Sequence, residues 1–155
     1  MTTQLPQSPK TSGSELYEQD FYLWIQTTIE LLKQGQLTEL DLENLIEEIA
    51  TMGRSEKKAL RSNLEVVLMH LLKYQYQAEK RSGSWRATIR EHRKRIKETF
   101  AESPSLKPYF YQVFGGCYED ARLLAADETE LQIATFPEQS PFTPEQVLDA
   151  DFLPE

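Results

Sequence analysis

Apolar positions along this chain recur at three- and four-residue intervals, the period of an α-helix, and no run alternates long enough to make a convincing strand. From about Glu15 to Gln34, Tyr17, Phe21, Trp24, Thr28 and Leu31 share one face, with Ile25 and Leu32 beside them. Ser12 with Glu15, or Ser14 alone, can cap its start, and Gly35 supplies a cheap left-handed stop. A second predicted helix, Leu40 to Met52, carries Leu42, Leu45, Ile46 and Ile49 in a stripe, with Glu39, Glu43 and Glu47 opposite and Gly53 as its end. A third, Ser55 to Gln77, is apolar nearly all round at VVLMHLL (66–72), which predicts the centre of the core.

Arg81-Ser82-Gly83 breaks that pattern, and Ser84 is the expected N-cap of a fourth helix from Trp85 to about Phe100. Ser103-Pro104 stops it and opens a fifth, which carries Leu106, Phe110, Val113, Cys117, Ala121 and Leu124. Gly115-Gly116 costs that helix about 1 kcal/mol per glycine relative to alanine, and predicts a kink or a close helix contact. Beyond Glu130 four prolines alternate with Phe136, Phe142, Val147, Leu148, Phe152 and Leu153. Such a segment is too apolar to float free, so it is expected to wrap the bundle. A short helix at Pro144 to Leu148 should be capped by Thr143, with Gln146 completing a capping box. The expected fold is therefore all-α: a compact bundle of about five helices with an extended, proline-containing C-terminal strap. The polar opening, residues 1–14, has no apolar core of the signal-peptide kind and is predicted to be a flexible lead. Residues 15–155 are expected to form a single helical domain.

Composition narrows the chemistry. The chain has 155 residues, enough for a real core, with 39% hydrophobic and 27% charged positions. One cysteine, Cys117, excludes an internal disulfide and suits a reducing cytoplasm. No apolar run reaches the roughly 20 residues that span a bilayer, so no membrane role is expected. Neither a phosphate-binding loop nor a dinucleotide glycine fingerprint is present, and no cofactor is implied. There is no Gly-x-Ser-x-Gly elbow, and Cys117 lies on an apolar stripe where packing is the simpler role. No catalytic residue is assigned, and the reading leans away from an enzyme.

Six quoted stretches carry a resemblance: YEQDFYLWI (17–25), LDLENLIEEIATMGRSE (40–56), HLLKYQYQ (70–77), RSGSWRATI (81–89), SPSL (103–106) and FPEQSPFTPEQVLDADFLP (136–154). In that order they resemble the bacterial family called domain of unknown function 29. The resemblance implies a small, mostly helical fold and no established activity, so it supplies no catalytic residues. Two positions depart from the family's pattern: Ala78, where proline is expected, and Glu130, where glycine is expected.

Charge is the informative anomaly. The net charge is −8, which argues against a general nucleic-acid binder, yet residues 81–97 hold seven Lys or Arg and only Glu91 as an acid. On a helical wheel Trp85, Ile89, His92, Ile96 and Phe100 form an inner stripe, with Arg86, Arg90, Arg93, Lys94 and Lys97 on the adjoining flank. Five like-charge pairs at helical spacing cost about 1 to 2.5 kcal/mol before screening, so the flank calls for an anionic neighbour. The simplest neighbour is internal, from the acids of the tail or the Glu39/Glu43/Glu47 ridge. The others are a protein partner or second copy, and phosphate or RNA.

The leading function is accordingly a non-enzymatic protein-interaction module, with self-association among its forms. The first alternative is RNA or phosphate binding through Arg81, Ser84, Arg86, Arg90, Arg93 and Lys97, the first three gathered at a helix N-terminus. The second is a metal-assisted hydrolase around Glu48 and His70, with Asp41 one heptad before Glu48. It depends on the second and third helices pairing antiparallel across Gly53. The plainer role for His70 is a satisfied core histidine.

Overall fold

The computed structural model describes residues 12–155; residues 1–11 of the expected lead lie outside them. The chain divides into two compact units, one ending at Arg54 and one running from Ser55 to Glu155. Every regular element among the described residues is helical.

In the first unit, the single helix expected over 15–34 is two: α1 (Gly13–Gln19) and α2 (Phe21–Lys33). Asp20 divides them because its carboxylate accepts from the Leu23 backbone N–H at 3.0 Å, capping α2 and ending α1. Ser12 caps α1 by accepting from Glu15 N–H at 3.2 Å. Gly13 is there for space: a Cβ on it would lie 2.8 Å from that of Asp41. Gly35 ends α2 at φ 69° as expected. Trp24 and Thr28 are the buried residues of α1 and α2, and the Trp24 indole donates to Asp41.

The expected turn at Gly53 is absent. α3 runs unbroken from Leu42 to Tyr76, 35 residues. Gly53 meets nothing that requires a glycine, and no proline follows to stop the helix. Arg54 reaches back across it to Glu47 and Thr51, at 2.7 and 2.8 Å. A mid-helix glycine costs only about 1 kcal/mol, too little to break a helix continued by good helix formers. From Ile49 to Ala59 the helix is exposed on every side. Leu42, Ile46 and Ile49 of the apolar stripe are exposed as well.

The second unit holds the core. Leu60, Leu64, Val67, Leu68, Leu71 and Leu72 of α3 are fully buried, which places the centre at the predicted VVLMHLL. After a short 3₁₀ turn (Ala78–Lys80) comes α4 (Gly83–Glu102), then α5 (Lys107–Thr129). The α4 cap is Ser82, two residues before the expected Ser84; its hydroxyl accepts from Trp85 N–H at 3.2 Å. α5 contributes Phe110, Cys117, Ala121 and Ala125 to the core. Gly115 and Gly116 face open space, so no close helix contact explains them. Glu130 stands at the end of α5 with φ 59°, a left-handed conformation in which glycine is favoured. The tail then crosses the bundle, burying Phe136, Phe142 and Val147, with α6 (Pro144–Leu148) held by the predicted Thr143–Gln146 capping box.

Candidate interaction groove

α4 is built around Ile89 and Ile96, both buried. Arg93 lies four residues after one and three before the other, so it shares their phase. It is 3% exposed, not on the solvated flank where the charge pattern put it. A buried guanidinium needs acceptors for its N–H groups, and the strap supplies three backbone carbonyls. Nε donates to Val147 O at 2.8 Å, one Nη to Phe152 O at 2.8 Å, and the other to Gln146 O at 3.2 Å. Two of these carbonyls belong to the last turn of α6; Gln146 O also accepts from the Asp149 N–H, whereas Val147 O has no backbone donor there. Burial lowers the Arg93 pKa and Asp149 offsets part of that shift. Arg93 thus fastens the strap along α4.

Between the strap and the outer flank of α4 runs a groove of about 490 Å³, lined by Arg90, Arg93, Lys94, Lys97, Glu98, Ala101 and Ala150. A smaller recess of about 190 Å³ shares Arg90, Arg93 and Ala150, and adds Arg86, Ile89, Asp151 and Leu153. The rim is cationic, while Ala101, Ala150, Ile89 and Leu153 provide apolar surface. Of the strap's wall residues, Asp151 was marked in sequence by the tail's acidity and Leu153 by its apolar punctuation, whereas nothing marked Ala150.

Among the described residues the tail's acids make no ion pair with α4, although Asp149 acts on Arg93 and Asp151 lines the recess beside Arg86 and Arg90. The ion pairs of α4 lie within the helix itself, Arg95 with Glu91 at 3.2 Å and Lys94 with Glu98 at 3.8 Å. Among the described residues, no carboxylate lies within 4 Å of the charged nitrogens of Arg86, Arg90 or Lys97. The strap meets α4 with carbonyls instead of carboxylates, because its acids Asp149 and Asp151 remain exposed. In the other unit, Glu47 pairs with Arg54.

The remaining candidates fall elsewhere. Arg81 donates to Tyr74 O at 2.7 Å and lies over the Tyr74 ring, closing the end of α3. Ser84 is exposed in the first turn of α4. Trp85 has Lys73 Nζ 4.7 Å above its ring, and Lys73 also pairs with Glu128 at 2.7 Å. Asp41 accepts from Trp24 and Asn44, and Glu48 accepts from the Tyr17 hydroxyl at 2.5 Å. His70 lies about six turns beyond Glu48 on the same helix, so the hairpin meant to bring them together does not exist. Its Nδ1 donates to Val66 O at 2.9 Å. His92 Nδ1 bonds Asn63 Oδ1 at 2.7 Å. Burial lowers the pKa of both rings, helped at His70 by Lys73 and at His92 by Arg95. Burial pushes the Cys117 thiol up to about 11, the direction of a packing residue and away from a reactive thiolate.

These features define an all-α protein with a cation-rimmed groove between its fourth helix and its C-terminal strap. The chain belongs to the family described as Domain of unknown function DUF29, whose model matches residues 16–153. No curated protein and no solved structure matches it. Among the described residues, no helix is long and apolar enough to cross a membrane, and no group of three or more His, Cys, Asp or Glu side chains is placed to hold a metal ion.

Proposed function

We propose that this chain is a protein-interaction module of the cytoplasm, and that the groove between α4 and the strap receives an acidic, partly apolar segment of a partner. The observation that carries this reading is the set of Arg86, Arg90 and Lys97, held along the groove and its adjoining recess with, among the described residues, no carboxylate within 4 Å of their charged nitrogens. Lining up like charges is costly, and an anionic ligand offsets that cost. The apolar surface beside the cations favours a peptide over a nucleic acid. A base-stacking platform is also less suited here, because Lys73 already occupies a face of Trp85.

The test is binding of a labelled synthetic peptide of glutamate and leucine, with a uridine oligonucleotide in a parallel arm. The peptide should bind, and bind more weakly as salt rises. Arg90→Glu with Lys97→Glu should weaken it by about tenfold or more. Ala150→Trp, which fills the groove without changing charge, should block it too. Tighter binding of the oligonucleotide, or peptide binding indifferent to both variants, overturns the reading.

A further inference from the structure

The first unit has a complementary anomaly. Residues 12–54 hold nine acids against Lys33 and Arg54, while Leu42, Ile46, Ile49 and Met52 stand exposed in successive turns of α3. Glu43 and Glu47, four residues apart, share the exposed side of α3 with Leu42 and Ile46, and Glu39 stands just before the helix in the 3₁₀ turn Leu37–Glu39. Arg86, Arg90 and Lys94 follow the same spacing on α4, which is about 6 Å per step. An acidic row edged by apolar side chains thus matches, in pitch and sign, a basic row edged by apolar surface.

We infer that the groove's partner is a second copy of this chain: the acidic, apolar face of α3 in one molecule seats in the α4–strap groove of another. The assignment rests on the interaction reading above. Neither surface is satisfied by its own unit: among the described residues Glu39 and Glu43 have no ion-pair partner, and neither do Arg86, Arg90 and Lys97. A face-to-face pairing of two first units sets like charge against like. Pairing of unlike surfaces removes both mismatches, and when reciprocal it closes at a dimer.

The mass of the full chain is measured by sedimentation at low and high salt. Wild type associates at low salt and dissociates as salt rises. Glu39→Lys/Glu43→Lys and Arg90→Glu/Lys97→Glu are each monomeric alone, because each sets like charges together. Mixed in equal amounts they form a heterodimer, since both contacts then join opposite charges. Helical circular dichroism of each variant verifies that it folds. A wild type that stays monomeric at about 100 μM in low salt overturns the inference, as does a mixture that fails to associate. If the glutamate–leucine peptide still binds such a monomeric wild type, the groove reading stands and only the second copy is lost.

Discussion

The two units spend their apolar residues in opposite ways. The one from Ser55 onward gathers them into a single cluster reaching from Leu60 on α3 to Val147 on the strap. Its large exposed hydrophobics are scattered: Tyr111, Leu123, Leu124 and Ile133. Residues 12–54 bury Trp24 and Thr28 and leave Phe21, Tyr22, Leu23, Ile29, Leu32 and Leu37 exposed, together with the α3 stripe. Both sequences are equally helical in pattern. A helical period says which residues share a face; it does not say that anything covers that face. Apolar exposure on this scale is what the proposed association would use.

The first way to break this contrast lies at Arg93. Arg93→Met takes the donor from the Val147 and Phe152 carbonyls and loosens the strap, and should destabilise the second unit by about 2 to 4 kcal/mol in urea unfolding. Limited proteolysis should then cut near residues 137–144, which wild type protects. Next come paired substitutions of apolar residues. Leu68→Ala, in the core, should cost about 2 to 5 kcal/mol, whereas Met52→Ser, measured on dilute protein, should change stability by less than about 0.5 kcal/mol. Equal costs at the two positions would erase the distinction between the units. A smaller gain is expected from Glu130→Gly, which relieves a left-handed residue and should stabilise the chain by about 1 kcal/mol.

The smallest effect concerns pH and belongs to the second unit. His70 and His92 have folded pKa values below the unfolded value of about 6.5, so the unfolded chain binds more protons between the two values. Their contribution is full above about pH 6.5, declines as pH falls through it, and levels off below the folded values. The difference in stability between wild type and His70→Gln/His92→Gln, followed from pH 7.5 to 5.5, should shrink in that direction.

Much of this was legible in the sequence, and the failures have physical reasons. The strap helix at 144–148 was readable because Thr143, Pro144 and Gln146 satisfy a local rule that needs no tertiary partner. The core at 66–72 was readable because an all-round apolar helix has to be enclosed. Gly53 misled because glycine permits a stop without compelling one. Asp20 was missed because a cap inside an apolar period looks like any polar position. At the groove, Arg86, Arg90 and Lys97 were legible from charge crowding alone. Arg93 was counted among them although its phase with Ile89 and Ile96 already placed it inward. That its partners would be carbonyls was not readable, because every residue carries one.

Those carbonyls also decide how the groove responds to acid. A carboxylate clasp would let go on protonation, but peptide oxygens have no proton to gain and a guanidinium none to lose under ordinary conditions. The fastening that keeps the groove's second wall in place is therefore insensitive to acidity. An acidic segment of the proposed kind would leave on acidification through neutralisation of its own carboxylates, while the groove keeps its shape.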